Sequence, residues 1–206
     1  MRPRHLIVAL VLLGSFVLDA PARHARGIVV DLVPKWLPHL LGHGAEPVTL
    51  AAALGGLLVV TLAVRDSRFN RAATALVTAL AATAVSVLAL KWLASRGPDG
   101  VFHGFGTGDN GIMFPSGHAA VAFAVFEVVA AAWHRARWAA GAVAFGVAFA
   151  CAMLIHFLSD VVAGAMIGDL IGRLTAAWAL RAGLLAPAPG PDPPPASDPP
   201  TASPDC

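Results

Sequence analysis

Apolar residues gather into long, nearly unbroken runs at 47–64, 72–93, 115–133, 138–158 and 161–184, parted by short stretches that hold most of the charges. Each run is near the roughly 20 residues a helix needs to cross the hydrocarbon core of a bilayer, so the pattern predicts five spanning helices. A sixth run, 5–18, is shorter. It follows Arg2 and Arg4 and precedes the small-residue stretch Asp19-Ala20-Pro21-Ala22. It reads either as a first span or as a cleavable signal, and the multi-span character of the remaining chain favours the span. The expected fold class is therefore all-α, a polytopic transmembrane helical bundle of about six spans. Between 28 and 41 the stretch IVVDLVPKWLPHLL mixes apolar residues with two prolines, Lys35 and Trp36. That suits a segment lying along the membrane interface, and equally an ordinary connecting loop. From 185 onward the chain is proline and small polar residues, which cannot bury a core and predict a disordered cytoplasmic tail. The chain thus divides into a membrane domain, 1–184, and a tail, 185–206.

Composition agrees. The 206 residues are 57% hydrophobic and 13% charged, with mean hydropathy +0.73, too apolar for an ordinary soluble domain. A formal charge of +2 from scattered basic residues leaves no footprint for nucleic acid. Cys151 sits in an apolar run and Cys206 is the last residue, so no disulfide framework or metal array is expected. With the amino terminus inside, the inner loops hold Arg2, Arg4, Arg65, Arg68, Arg71, Arg135, Arg137 and Arg181, against Arg23, Arg26, Lys35 and Arg96 outside. The positive-inside rule supports that orientation.

The outer helix ends carry an unusual share of polar side chains: Lys91 and Arg96, then Ser116 and His118, then His156, then Asp160. If the helices bundle, four distant segments converge at one depth. Pro115 suits a first helical turn, and the N–H groups after it, with Gly117 allowing close approach, form an anion site. Fixed charge from Lys91 and Arg96 beside two imidazoles fits a phosphate. The spacing His156-x-x-x-Asp160 allows the carboxylate to fix one ring nitrogen and activate the other as nucleophile. His118 is then left as acid for the leaving oxygen. A covalent phosphohistidine followed by attack of water needs no metal or other cofactor, since phosphoryl transfer rests largely on positioning and positive charge. Taken singly, Ser116 could be a helix start, Asp160 an N-cap and Lys91 a snorkelling cation; their joint placement favours the pocket. Deeper in the lipid region, Asp169 and Arg173 are four apart and can neutralise each other, whereas Glu127 has no partner legible in the sequence.

At these residues the chain resembles the type-2 phosphatidic acid phosphatase family, lipid phosphate phosphatases whose superfamily includes vanadium haloperoxidases. Pro115-Ser116-Gly117-His118 matches one family signature completely, and His156 and Asp160 match another. The resemblance implies a six-helix membrane phosphohydrolase with His156 as nucleophile, Asp160 its partner, His118 the leaving-group acid, and Lys91, Ser116 and Gly117 holding phosphate. It implies lipid substrates such as phosphatidic acid, phosphatidylglycerol phosphate or undecaprenyl diphosphate, taken at the outer face of the cytoplasmic membrane. Two family arginines are absent: their positions hold Pro98 and Ala150, although Arg96 matches an accessory arginine. Arg96 is expected to reach toward the vacant place and bind phosphate, and His103 in HGFGTGDNG to approach the substrate from a loop that reads as a mobile lid or a plain connection. The missing guanidiniums leave open a weak or silent relative that binds or moves a phosphorylated lipid, and a lipid phosphotransferase.

Overall fold

The computed structural model describes residues 3–36, 67–105 and 113–185. Six helices run through them: α1 (Pro3–Val17), α2 (Asp19–Leu32), α3 (Ser67–Ala94), α4 (Gly117–Ala132), α5 (Arg137–Leu154) and α6 (Leu158–Arg181), with a single 3-10 turn at His134–Ala136. No strand occurs among the described residues, and the fold is all-α as expected. Among the described residues three segments are long and apolar enough to cross a membrane: Phe69–Ala94, His134–Leu154 and Leu158–Arg181. A fourth exists if the pair α1–α2, bent by 57°, counts as one. The run expected at 47–64 and the tail beyond 185 lie outside the described residues.

Several boundaries differ from expectation: α3 starts earlier, at Ser67, and α5 ends earlier, at Leu154, so that α6 starts at Leu158. α4 begins at Gly117 and has 16 residues, about 24 Å at 1.5 Å per residue, because Ser116 takes the N-cap and leaves Pro115 before the helix rather than in its first turn. The interfacial segment expected from 28 is helical already from Asp19. Asp19 interrupts the apolar run of α1 and the chain changes direction there.

α6 is the centre of the bundle, packing against α4 along most of its length and also touching α1, α2, α3 and α5. What permits the close approach of α4 is a stripe of glycine every fourth residue, Gly164, Gly168 and Gly172, continued by Ala176. A methyl group on Gly168 would land on the Ala120 carbonyl oxygen and lie 2.7 Å from its carbon; one on Gly172 would lie 2.7 Å from Glu127 Cβ. Between helices in lipid, where no hydrophobic effect drives association, such backbone-to-backbone packing supplies the dispersion contact. The flanking core is small for the same reason: Ala72, Ala75 and Ala79 of α3 meet Val128 and Ala179. Large apolar residues such as Leu88, Phe145, Phe149, Leu170 and Leu174 point outward, as lipid-facing positions do. α6 stops in a Schellman arrangement: Gly183, at φ +70°, donates to Leu180 O, and Leu184 N donates to Ala179 O at 2.8 Å.

Within this packing Arg173 of α6 pairs with Asp169 at 2.7 Å and lies 3.5 Å from Glu127 of α4. The carboxylate that had no partner legible in sequence shares the cation of the i, i+4 pair.

Candidate active site

One end of the bundle collects the polar residues. Ser116 is fully buried; its Oγ accepts from Ala119 N at 3.5 Å, while its own N–H donates to Asp160 O at 2.9 Å, tying the start of α4 to the start of α6. Gly117 and His118 follow in the first turn of α4, at the positive end of the helix dipole. The corner between α5 and α6 presents His156, because α5 ends at Leu154 and α6 begins only at Leu158. The His118 and His156 rings meet edge-on, with centroids 6.3 Å apart and planes at 61°. Lys91, in the last turn of α3, is close enough to act electrostatically on both His156 and Asp160. Lys91, Ser116, Gly117, His118, His156 and Asp160 thus come together from four segments.

Burial holds the His156 imidazole neutral, pushed down to about 3, with the positive charges of Lys91, His118 and Arg26 acting in the same direction and a Met113 backbone hydrogen bond opposing them. A neutral ring is what a nitrogen nucleophile requires.

The expected grip of Asp160 on His156 is not made. His156 Nδ1 is 3.9 Å from Asp160 Oδ2, beyond hydrogen-bond reach, and this nitrogen has no hydrogen-bond partner among the described residues. Asp160 is instead engaged by its own helix and by an arginine. Oδ2 accepts from Phe157 N at 3.2 Å, the backward reach of an N3 acid to the N-cap. Oδ1 accepts from Arg96 Nη1 at 2.6 Å.

Arg96 reaches the site but turns inward. Only 5% exposed, it donates from Nε to Gly100 O, from Nη1 to Ser159 Oγ and Asp160, and from Nη2 to Asp19 Oδ2 at 2.9 Å. That uses four of the five N–H groups a guanidinium has. Its Cζ lies 4.1 Å from the Phe157 ring centroid and 5.0 Å from that of Phe102, which adds cation–π attraction. The reach toward a vacant phosphate-clamping position is therefore not what the geometry shows. His103 likewise faces Asp99, at 3.6 Å on an exposed loop, and residues 106–112 of the expected lid lie outside the described residues.

Sequence reasoning missed Asp19, Ser159 and Arg26. Asp19 is buried and accepts from Ser159 N at 2.9 Å and Ser159 Oγ at 2.6 Å as well as from Arg96. Arg26 of α2 donates to Ile155 O at 2.8 Å, beside His156. The one available signal was a carboxylate directly following an apolar run.

Residues 72–183 match the family model of the PAP2 superfamily, more than half of the chain. The chain belongs to the PAP2 superfamily. No characterised protein and no solved structure matches it significantly. Membership in the PAP2 superfamily brings a phosphatase-type function and phosphorylated lipids as the general substrate class, and the apolar helices make this PAP2 protein a multi-pass membrane protein. The matched segment contains the paired histidines, Lys91, Arg96 and Asp160, and leaves α1 and α2 outside it.

Proposed function

We propose that the protein is a membrane phosphatase that hydrolyses a lipid phosphate or diphosphate through a phosphohistidine at His156, on the outer face of the cytoplasmic membrane. The observation that carries this reading is the 6.3 Å separation of the two imidazole rings. A nucleophile must come within about 3–3.5 Å of phosphorus and an acid within about 2.6–3.2 Å of the leaving oxygen, and two rings this close can both reach one phosphoryl group.

In the first step the His156 nitrogen forms the bond to phosphorus as the P–O bond breaks, and His118 gives its proton to the leaving oxygen. Water then attacks phosphorus, returning a proton to His118 and releasing His156. Lys91 and the N–H groups at the start of α4 offset the charge on the phosphoryl oxygens. Purified protein in detergent, given phosphatidic acid in the presence of a chelator, is expected to release inorganic phosphate, and His156→Ala to release none. Release that survives His156→Ala would contradict the mechanism.

A second reading is favoured by the 3.9 Å gap between His156 and Asp160 and by Pro98 and Ala150: a weakly active or silent family member that binds or moves a phosphorylated lipid. Lipid binding undiminished by His156→Ala, with no turnover, distinguishes it. Transfer of labelled phosphate to a lipid or sugar acceptor rather than water would identify a phosphotransferase.

A further inference from the structure

We propose that the bent helix pair α1–α2, outside the segment that matches the family, is a working part of the catalytic centre, with Asp19 a positioning residue that holds Arg96 so that one oxygen of Asp160 stays turned to His156. The proposal rests on the phosphatase reading and adds a residue to it.

The Arg96 guanidinium sets the geometry through the way its fork is shared. Arginine meets a carboxylate most strongly when two of its N–H groups bind both oxygens at once. Here that fork is divided between two carboxylates: Nη1 goes to Asp160 Oδ1 at 2.6 Å and Nη2 to Asp19 Oδ2 at 2.9 Å. Asp19 is in turn fixed by Ser159, which donates its backbone N–H to Oδ1 and its hydroxyl to Oδ2. Ser159 Oγ also accepts from Arg96 Nη1 at 2.7 Å, closing a ring of three side chains, Asp19, Ser159 and Arg96, to which Asp160 is joined through Arg96. All four are buried.

The consequence falls on Asp160 Oδ2. Because Asp19 takes the second arm of the fork, Arg96 binds Asp160 through one oxygen only. Oδ2 keeps a 3.2 Å contact with Phe157 N and lies 3.9 Å from His156 Nδ1. Without the Asp19 charge, the second arm of Arg96 is released and the fork is able to turn onto both oxygens of Asp160. Bidentate capture would draw that oxygen away from the imidazole just when phosphohistidine formation makes the ring positive and in need of it. A second contact from the same helix pair, Arg26 Nη1 to Ile155 O at 2.8 Å, holds the chain on the other side of His156. The corner bearing the nucleophile is thus fixed from both sides by α1–α2.

The test uses the full chain in detergent with phosphatidic acid micelles, comparing wild type, Asp19→Asn, Ser159→Ala and His156→Ala for thermal unfolding, kcat and KM. Asp19→Asn keeps the shape and an acceptor for Ser159 but removes the charge. The expected result is a kcat lower by about 100-fold, the loss typical of reacting groups misplaced by about 1 Å, with KM unchanged because Lys91 and the start of α4 are untouched. Folded Asp19→Asn protein with wild-type kcat, or with a raised KM and unchanged kcat, overturns the proposal. If Asp19→Asn does not fold, Ser159→Ala decides: a lower kcat at constant KM supports the positioning role, and wild-type kcat in folded protein overturns it. Intact mass showing that the active protein lacks residue 19 also overturns it. The two readings fail separately. Phosphate release by wild type that is lost in His156→Ala but equal in Asp19→Asn removes only the positioning role, whereas no release by wild type, or release that survives His156→Ala, removes the phosphatase reading and this role with it.

Discussion

Gly168→Ala is the smallest change that should disturb both fold and site. A methyl group there would land on the carbonyl oxygen of Ala120 and lie 2.7 Å from its carbon and 2.9 Å from its Cα. Carbon pairs rest at about 3.5–4.0 Å, so α4 and α6 must separate by roughly 1 Å. The obstacle is backbone, so no side-chain rotation relieves it. Overpacking of this kind costs about 1–3 kcal/mol. The displacement also reaches the chemistry, because α4 carries His118 at one end and the α6 start carries Asp160; a misplacement of about 1 Å is worth about 100-fold in rate. The matched control is Gly146→Ala in α5, where a methyl group meets nothing within 4 Å and should leave stability unchanged or raise it by about 1 kcal/mol through helix propensity. Thermal unfolding and phosphate release of the two variants, measured side by side in one detergent, provide the assay. Gly168→Ala behaving like Gly146→Ala would refute the argument that the glycine stripe sets the α4–α6 distance.

Burial of a neutral His156 predicts acid sensitivity. Its folded-state pKa, about 3, lies below the ordinary 6.5, so between those values the unfolded chain binds more protons and stability falls as pH falls. The contribution is intact above about pH 6.5 and declines by on the order of 3–5 kcal/mol toward pH 3. Thermal unfolding from pH 7.5 to 4.5 should show a shallower decline in His156→Gln than in wild type, and identical slopes would count against it. Arg96→Leu leaves Asp19 and Asp160 buried without their cation and should destabilise by about 3–5 kcal/mol. Arg96→Lys should not rescue it, since an ammonium lacks the planar fork that reaches both carboxylates; normal thermal stability of the lysine variant would contradict the assigned geometry.

Helices at 72–93, 138–158 and 161–184 were legible because long apolar runs leave the chain few alternatives in lipid. The convergence of Lys91, Ser116, His118, His156 and Asp160 was legible too, since each lies at a helix end where polar groups are tolerated. The pairing inside the site was not. Four-residue spacing lets His156 and Asp160 meet on one helix or across a corner, and the chain does turn a corner there, but Asp160 is taken by Arg96 and Phe157 N instead. Arg96 was read as a phosphate ligand from its charge, its place at an outer helix end and its match to an accessory family arginine. Its actual partners stand 77 and 64 residues away in Asp19 and Asp160, a relation that no local pattern encodes. The glycine stripe of α6 went unread in the sequence, since only the position of the α4 backbone reveals what it serves.

The central claim is that the two neighbouring imidazoles act on one phosphorus, His156 by bonding to it. The most direct measurement is mass spectrometry of protein quenched during turnover of p-nitrophenyl phosphate, whose leaving group needs no acid. The account predicts phosphate on the peptide containing His156 in wild type, a larger amount in His118→Ala, where water attack is slowed, and none in His156→Ala. Phosphate on any other residue, or turnover with an unmodified His156 peptide in His118→Ala, would contradict it.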